Sequence, residues 1–381
     1  MASFCESTII DKEDYEVDSE YDTFYDSDDT IIYNYESETK TELLNQIVLQ
    51  TNKYAEKKNS EKNLSQHSTW LKWKNVTLDE MKAFIGLIIN MGIVILPNLK
   101  DYWATDFLTT QECFPKVFNR QRFLQIFWML HLSEPTPADA PIHTRTQKAQ
   151  NYLSYLSNKF LSIFKPSKNI AIDESTVGYK GKISFKTYNP QKPRKWGLRV
   201  YVAAESKLDS LIRPDLPFTS RIVLSLFENI RNKYPDLKGM HIYTDRFYTN
   251  APLAQELSLF KCHLTGTINP GRKGNCKEIK KPKISKGETL AYRRNNILLL
   301  SWKDKRIVTM CSSWHDSSVE TIERHTKQGL EQIKKPIVVS DYTQNMGGVD
   351  IADQLASTYS FLRKSLKWWR KIFFGVLKYP L

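Results

Sequence analysis

Ile170-Ala171-Ile172-Asp173 and His241-Ile242-Tyr243-Thr244-Asp245 are two short apolar runs, each closing on a carboxylate. At Asn169 the pattern changes from helical to extended. Ile170–Asp173 then reads as a buried strand, Leu198–Ala204 as a second and His241–Thr244 as a third, with a helix predicted over Arg221–Tyr234. Strands alternating with helices predict an α/β core. Open sheets of that class place their sites at strand ends, where Asp173 and Asp245 stand. Taken singly, each Asp could equally cap the turn or helix that follows it.

Upstream, Thr77-Leu78-Asp79-Glu80 has capping-box spacing and opens an apolar helix through Ile93, stopped by Pro97. Gln121–Leu132 and Tyr152–Phe164 carry apolar residues at helical spacing. Residues 65–165 are therefore expected to form an all-helical domain, with order beginning near Trp70 and residues 1–64 as an acidic, disordered tail and linker, the polar stretch Lys53–Ser68 reading as a linker or a solvated helix. Downstream, residues 166–270 are expected to hold the first part of the α/β core. Residues 271–340 form a basic strand-rich insertion, with a hairpin of Asn296–Trp302 and Ile307–Ser312 turning at Lys303-Asp304-Lys305. Residues 341–381 return to the core as one last helix, about Val349 to Val376, after the break at Gly347-Gly348.

With 381 residues, 41% of them hydrophobic, the chain can bury a sizeable core. Its formal charge of +13 points to a polyanionic partner, nucleic acid ahead of membrane. Thirteen Asp or Glu against two Lys fall within residues 1–40, so the rest of the chain is more basic than that average. Acidic blocks such as Asp26-Ser27-Asp28-Asp29 repel themselves and resist packing. The sharper alternative is a phosphorylatable tail that competes with DNA for the basic body. Five dispersed cysteines, Cys5, Cys113, Cys262, Cys276 and Cys311, suit a reducing compartment. The longest apolar run, Ala83–Leu96, contains Asn90 and falls short of the ~20 residues that span a bilayer. A soluble intracellular protein is expected, with no membrane partner.

Asp350 and Asp353 lie three apart, on one face of the first turn after the glycine pair, where they could simply complement the helix dipole. Together with Asp173 and Asp245 they suit Mg²⁺, a hard cation that takes oxygen ligands. Two such ions would activate a water or 3′-hydroxyl and stabilise the leaving oxygen in displacement at phosphorus. Residue pattern alone reaches no further than possible metal-dependent phosphoryl transfer. Lys180, Lys182, Lys186, Lys192, Arg194, Lys195 and Arg199, interleaved with Tyr179, Phe185, Tyr188 and Trp196, suit a groove that tracks phosphates and stacks bases, against the alternative of a solvated basic face. Lys280-Lys281-Pro282-Lys283 could be a nuclear localisation patch or a solvated loop. Cys311 and His315 lack a second pair in ligand spacing, which argues against zinc. Gly271-Arg272-Lys273-Gly274 lacks the ending of a phosphate-binding P-loop. Trp368-Trp369 suits core packing or a partner contact.

Ile172-Asp173-Glu174, Tyr179-Lys180-Gly181-Lys182, Tyr188-Asn189-Pro190-Gln191-Lys192-Pro193 and Lys195-Trp196-Gly197 resemble the first catalytic block of piggyBac-type transposases. Thr244-Asp245-Arg246-Phe247-Tyr248-Thr249 resembles the second block. Asn345-Met346-Gly347-Gly348-Val349-Asp350-Ile351-Ala352-Asp353-Gln354 resembles the third, and Arg120-Gln121-Arg122-Phe123 with Leu130-His131-Leu132 the helical N-terminal domain. The resemblance covers about residues 65–380. It implies an RNase H-like catalytic core preceded by an all-helical dimerisation and DNA-binding domain and interrupted by a strand-rich insertion domain. It further implies a set of Asp173, Asp245, Asp350 and Asp353 holding Mg²⁺ or Mn²⁺, cut-and-paste transposition at TTAA, a homodimer on DNA, a nuclear location and no small-molecule substrate.

Two features depart from the family pattern. A core strand after Ala203-Ala204 is not evident in Lys207–Ser220, and the chain ends at Tyr379-Pro380-Leu381 without the family's cysteine-rich, zinc-binding domain. Three readings stay open: a transposase, a domesticated or decayed DNA-binding descendant without catalysis, and a chromatin-associated regulatory scaffold.

Overall fold

The computed structural model describes residues 29–60, 66, 68–106, 110–134, 147–163, 166–183, 186–190, 195–202, 212–272, 274–326, 329–358, 361, 365 and 367–376. The chain divides into two units, Met1–Glu42 and Leu43–Leu381. The described part of the first is the opening of helix α1 (Asp29–Ser60), which runs on into the second. From Leu43 onward α1 carries an apolar stripe. Leu43, Leu44, Ile47 and Val48 enter a core cluster, and Thr51 and Ala55 are fully buried. The expectation of a disordered tail is thus corrected for residues 43–52, where the polar average hid an apolar stripe, and of the two readings of Lys53–Ser68 the helical one holds as far as Ser60. Residues 1–28, which include the acidic block at Asp26–Asp28, lie outside the described residues.

Helices α2 (Leu78–Ile93), α3 (Cys113–Val117), α4 (Arg120–Met129) and α5 (Gln150–Ile163) complete a helical layer. The capping box forms as its spacing predicts: Glu80 N donates to Thr77 Oγ1 and Thr77 N to Glu80 Oε2, both at 3.2 Å. Arg122 of α4 grips the same Glu80 through Nε at 2.8 Å and Nη2 at 2.6 Å.

The remaining elements are β1 (Asn169–Gly178), β2 (Thr187–Tyr188), β3 (Trp196–Val202), α6 (Phe218–Lys233), β4 (His241–Thr244), α7 (Ala251–Leu259), β5 (His263–Thr267), α8 (Lys277–Lys280), β6 (Thr289–Arg294), β7 (Ile297–Lys303), β8 (Ile307–Ser312), β9 (Val319–Thr326), β10 (Gly329–Pro336), α9 (Ile337–Asn345), α10 (Gly348–Thr358) and α11 (Trp368–Val376). Among the described residues, one mixed sheet runs β2-β3-β1-β4-β5-β8-β7-β6, and β9 and β10 pair separately. β1, β4 and β5 are mutually parallel, and β3 is antiparallel to β1. α6 and α7 cover the parallel strands, with Ile170, Ile172, Ile242 and Leu264 in one core with Ile222, Leu226, Leu253 and Leu257.

Three expectations change here. The β7–β8 hairpin is present but does not belong to a separate strand body. β8 pairs antiparallel with β5 at Thr265–Thr267, so the sheet crosses the boundary expected at residue 270 and the open edge of β5 is covered. The single last helix is two, α10 ending at Thr358 and α11 starting at Trp368, with a local contact just before α11 in which Ser365 Oγ accepts from Lys367 N at 3.1 Å and donates to Lys367 O at 3.2 Å. The second of them, α11, belongs to the helical core. Phe374 stacks on Phe127 at 5.7 Å, Phe373 lies 5.1 Å from Tyr152, and Trp368 and Trp369 are buried with them. On the far side of β3 the sheet is edged by the two residues of β2. Of the segment Lys207–Ser220, where no core strand was evident in the sequence, residues 212–220 hold no strand and lead into α6 at Phe218, while residues 207–211 lie outside the described residues. No helix of the described residues is long and apolar enough to cross a membrane.

Candidate active site

β1 and β4 run parallel with Ile172 opposite Thr244, so the next residue on each, Asp173 and Asp245, occupies a neighbouring rung. Adjacent strands lie about 4.8 Å apart. β1 continues past this point, with Asp173 opposite Val202 of β3, whereas β4 ends and Asp245 opens a turn. Phe247 N donates to Asp245 Oδ1 at 2.9 Å, and Thr249 Oγ1 donates to Asp245 O at 2.7 Å. Gly266 of β5 lies against that turn. A Cβ there would collide with Thr244 O and Thr249 Oγ1, so β5 can approach only as glycine.

α10 supplies the third position. Ser175 Oγ donates to Asp353 Oδ1 at 2.6 Å and ties α10 to β1 two residues beyond Asp173. Tyr342 on α9 links all three elements electrostatically. Its hydroxyl, bonded to Thr267, is pushed up to about 12 by burial and then by the charges of Asp245, Asp173 and Asp350. Burial also pushes the Asp245 carboxyl up, and the charge of Glu174 adds to it, while the Phe247 and Tyr248 amides pull it back.

The donors around Tyr342 are all oxygens, which fits a hard divalent cation rather than a soft one. No three of these carboxylates bring ligand oxygens within 4.8 Å of one another among the described residues. Asp353 engages Oδ1 with Ser175, so it stands beside the set of Asp173, Asp245 and Asp350.

Three neighbours gave no signal in the sequence. Glu174 is buried and accepts from Tyr248 Oη at 3.0 Å. Tyr342 lies one helix before Asp350. Arg272 donates through Nη2 to Arg246 O at 2.9 Å and to Phe247 O, which sets its guanidinium in the field of Asp245. Residues 245 and 272 are joined by tertiary folding alone, and no periodicity links them.

The basic set divides. Lys180, Lys182 and Lys195 are exposed. Lys186 donates to Gly181 O at 3.0 Å and lies 4.7 Å over the ring of Trp196. Arg199 packs over Phe247 and reaches within 3.9 Å of Glu174, so it faces the carboxylate site. Tyr188 and Trp196 are 51% and 43% exposed with ring centroids 4.5 Å apart, two open aromatic faces among the lysines. Tyr179, grouped with them in the sequence, is instead buried in the helical core. The apolar neighbours Leu198 and Val177 claim its ring. Lys192, Arg194 and Phe185 lie outside the described residues.

A family model described as Transposase IS4 matches residues 39–379. The human PiggyBac transposable element-derived protein 2 is 24% identical over 346 residues, covering 86% of this chain and 56% of the relative. The human PiggyBac transposable element-derived protein 3 is 24% identical over 314 residues, covering 77% of this chain and 52% of the relative. The chain thus spans about half the length of these curated relatives. A cryo-EM structure of a piggyBac transposase synaptic complex with hairpin DNA superposes with a TM-score of 0.71 at 21% identity, covering 88% of this chain and 70% of that one. With the family model matched from α1 to the chain's last residues and the piggyBac fold reproduced, the chain belongs to the piggyBac-type transposase family.

Proposed function

We propose that this transposase-derived chain binds DNA along its basic, aromatic face and retains a site for metal-dependent strand cleavage and transfer at TTAA targets. The supporting observation is that Asp173 and Asp245 stand on neighbouring rungs of parallel strands, with α10, which carries Asp350 and Asp353, tied to β1 by the Ser175–Asp353 hydrogen bond. We read β3-β1-β4-β5 as the RNase H-like core. Asp173, Asp245 and Asp350, with Asp353 as a fourth carboxylate, would hold Mg²⁺ or Mn²⁺. When bound, the ions would activate a water or 3′-hydroxyl and stabilise the leaving oxygen of an in-line displacement. The chain's own residues do the positioning. Ser175 anchors Asp353 and with it α10, Thr249 and Phe247 hold the Asp245 turn, and Lys180, Lys182 and Lys195 receive phosphates while Tyr188 and Trp196 offer faces for bases. A nuclear location and a homodimer on DNA belong to the same reading.

The test is cleavage of linear DNA carrying candidate transposon ends and TTAA, with Mg²⁺, by the wild-type chain and Asp173→Ala. Cutting by the wild type alone supports the proposal, and equal background cutting by both sinks it. A second reading, DNA binding without catalysis, is favoured by the thin edge of the sheet, where β2 contributes only Thr187 and Tyr188 beside β3. It predicts DNA retention in a gel shift with no cutting by either protein.

A further inference from the structure

At the opposite end of β4 from Asp245, four side chains from three parts of the chain turn one atom each toward a common centre. They are His241 and Tyr243 on β4, His315 after β8 and Asp341 on α9. The ligand atoms of His241, His315 and Asp341 all lie within 4.8 Å of one another, a grouping of at least three His, Cys, Asp or Glu that could hold a metal. His315 Nε2 is 3.2 Å from Asp341 Oδ2. Tyr243 Oη is 2.8 Å from the same Oδ2 and 3.1 Å from His241 Nδ1. Donors bound at about 2.0–2.2 Å to a tetrahedral ion stand roughly 3.3 Å apart, close to these three separations, so one ion could take the place of the hydrogen bonds between these atoms with little movement.

The outward atoms are held by a second ring of hydrogen bonds. His241 Nε2 meets Thr265 Oγ1 at 2.8 Å, and His315 Nδ1 meets Ser312 Oγ at 3.0 Å and Thr265 Oγ1 at 3.3 Å. Asn345 Nδ2 donates to Asp341 Oδ1 at 3.0 Å. Metal-bound histidines and carboxylates are oriented by partners of this kind on their far atoms. Thr265 and Ser312 are fully buried, and a hydroxyl can give or take a proton, so these contacts survive either tautomer of each imidazole.

We propose that His241, His315 and Asp341, with the Tyr243 hydroxyl as fourth donor, form a structural site for a borderline divalent transition ion, Zn²⁺ by preference. Two imidazoles exclude Mg²⁺ and Ca²⁺, which take oxygen. Along β4, His241 stands four residues from Asp245, roughly 13 Å by strand rise, and Tyr243 two residues, roughly 7 Å, so the site adjoins the carboxylates but shares none of them. It clamps α9 to the sheet next to Tyr342, and so steadies the approach of α10.

The test uses the full chain, stripped with a chelator and then given Co²⁺ alone or Zn²⁺ alone. The wild type and Asp173→Ala should each take up one Co²⁺ with the intense visible absorption of a tetrahedral nitrogen and oxygen site, lose it to Zn²⁺ and gain Tm with Zn²⁺. His315→Asn and Asp341→Asn should bind at least about 10-fold more weakly, the scale of losing a shell member. Tyr243→Phe should weaken the ion but keep it. A wild-type Tm that does not move with Zn²⁺ overturns the site, however the variants fold. So does an unchanged Co²⁺ spectrum in both His315→Asn and Asp341→Asn, or a thiolate charge-transfer band that places the ion on cysteine.

Discussion

Asp245 is set against the stability of its own fold. Burial and the charge of Glu174 raise its pKa, so the ionised form is disfavoured in the folded chain. A raised carboxyl contributes stability that is full below its unfolded pKa and is lost as pH rises through the folded one. Asp245→Asn should therefore raise the Tm of the metal-free protein at pH 7, read by calorimetry, while cutting strand cleavage by about 10²-fold or more. A fall in Tm would show that the carboxylate is compensated. Gly266→Ala should act in the other direction. Its methyl group would press on Thr244 O and Thr249 Oγ1, and overpacking of this kind costs about 1–3 kcal/mol, measurable by urea unfolding. Asp173 and Asp245 were legible in the sequence because each follows an apolar strand, a local pattern. Tyr342 and Arg272 were not, since each reaches the site only through tertiary packing, and Glu174, though next to Asp173, was not singled out because its bond to Tyr248 joins residues 74 apart.

Elements with local signals were read correctly, and those that depend on a distant partner were not. The Thr77–Glu80 box and the β7–β8 hairpin were visible because their chemistry lies within a few residues. The attachment of β8 to β5 and the transfer of α11 to the helical core depend on pairings that leave no periodic trace, and α1 was masked by its charged surface. The joint between α2 and α4 can be tested directly. The bond from Arg122 is the largest cause holding Glu80 below its ordinary 4.5, with burial opposing it and the Thr77 amide assisting. A depressed carboxyl contributes stability above the unfolded pKa and loses it as pH falls through the folded value. Below pH 4.5 the wild-type Tm should therefore drop more steeply than that of Glu80→Gln. At neutral pH, Arg122→Ala should cost about 2 kcal/mol, the scale of charged hydrogen bonds lost from a half-buried pair.

At the scale of the molecule, a net charge of +13 accompanies a face that carries both charge and open rings, and the proposed DNA binding would draw on both. The two contributions separate in a salt titration. Each phosphate neutralised by a lysine releases condensed counterions and adds about 0.9 to the slope of log affinity against log salt on duplex DNA. Changing Lys180, Lys182 and Lys195 together to Ala should flatten that slope by about two to three, because all three ammonium groups are exposed and free to reach phosphate. Trp196→Ala should behave differently. A stacked base is worth about 1–3 kcal/mol and carries no net charge, so affinity for single-stranded DNA should fall roughly tenfold or more at every salt concentration with the slope unchanged. Fluorescence anisotropy on short single and double strands resolves both effects. If the triple lysine variant keeps the wild-type slope, the segment between β1 and β3 does not contact phosphate, and the contrast between acidic residues 1–40 and the basic remainder of the sequence becomes the mark of a protein-binding scaffold. If the slope flattens while Asp173→Ala leaves it intact, DNA is held by one set of residues and processed by another, the division of labour expected of a strand-transfer core.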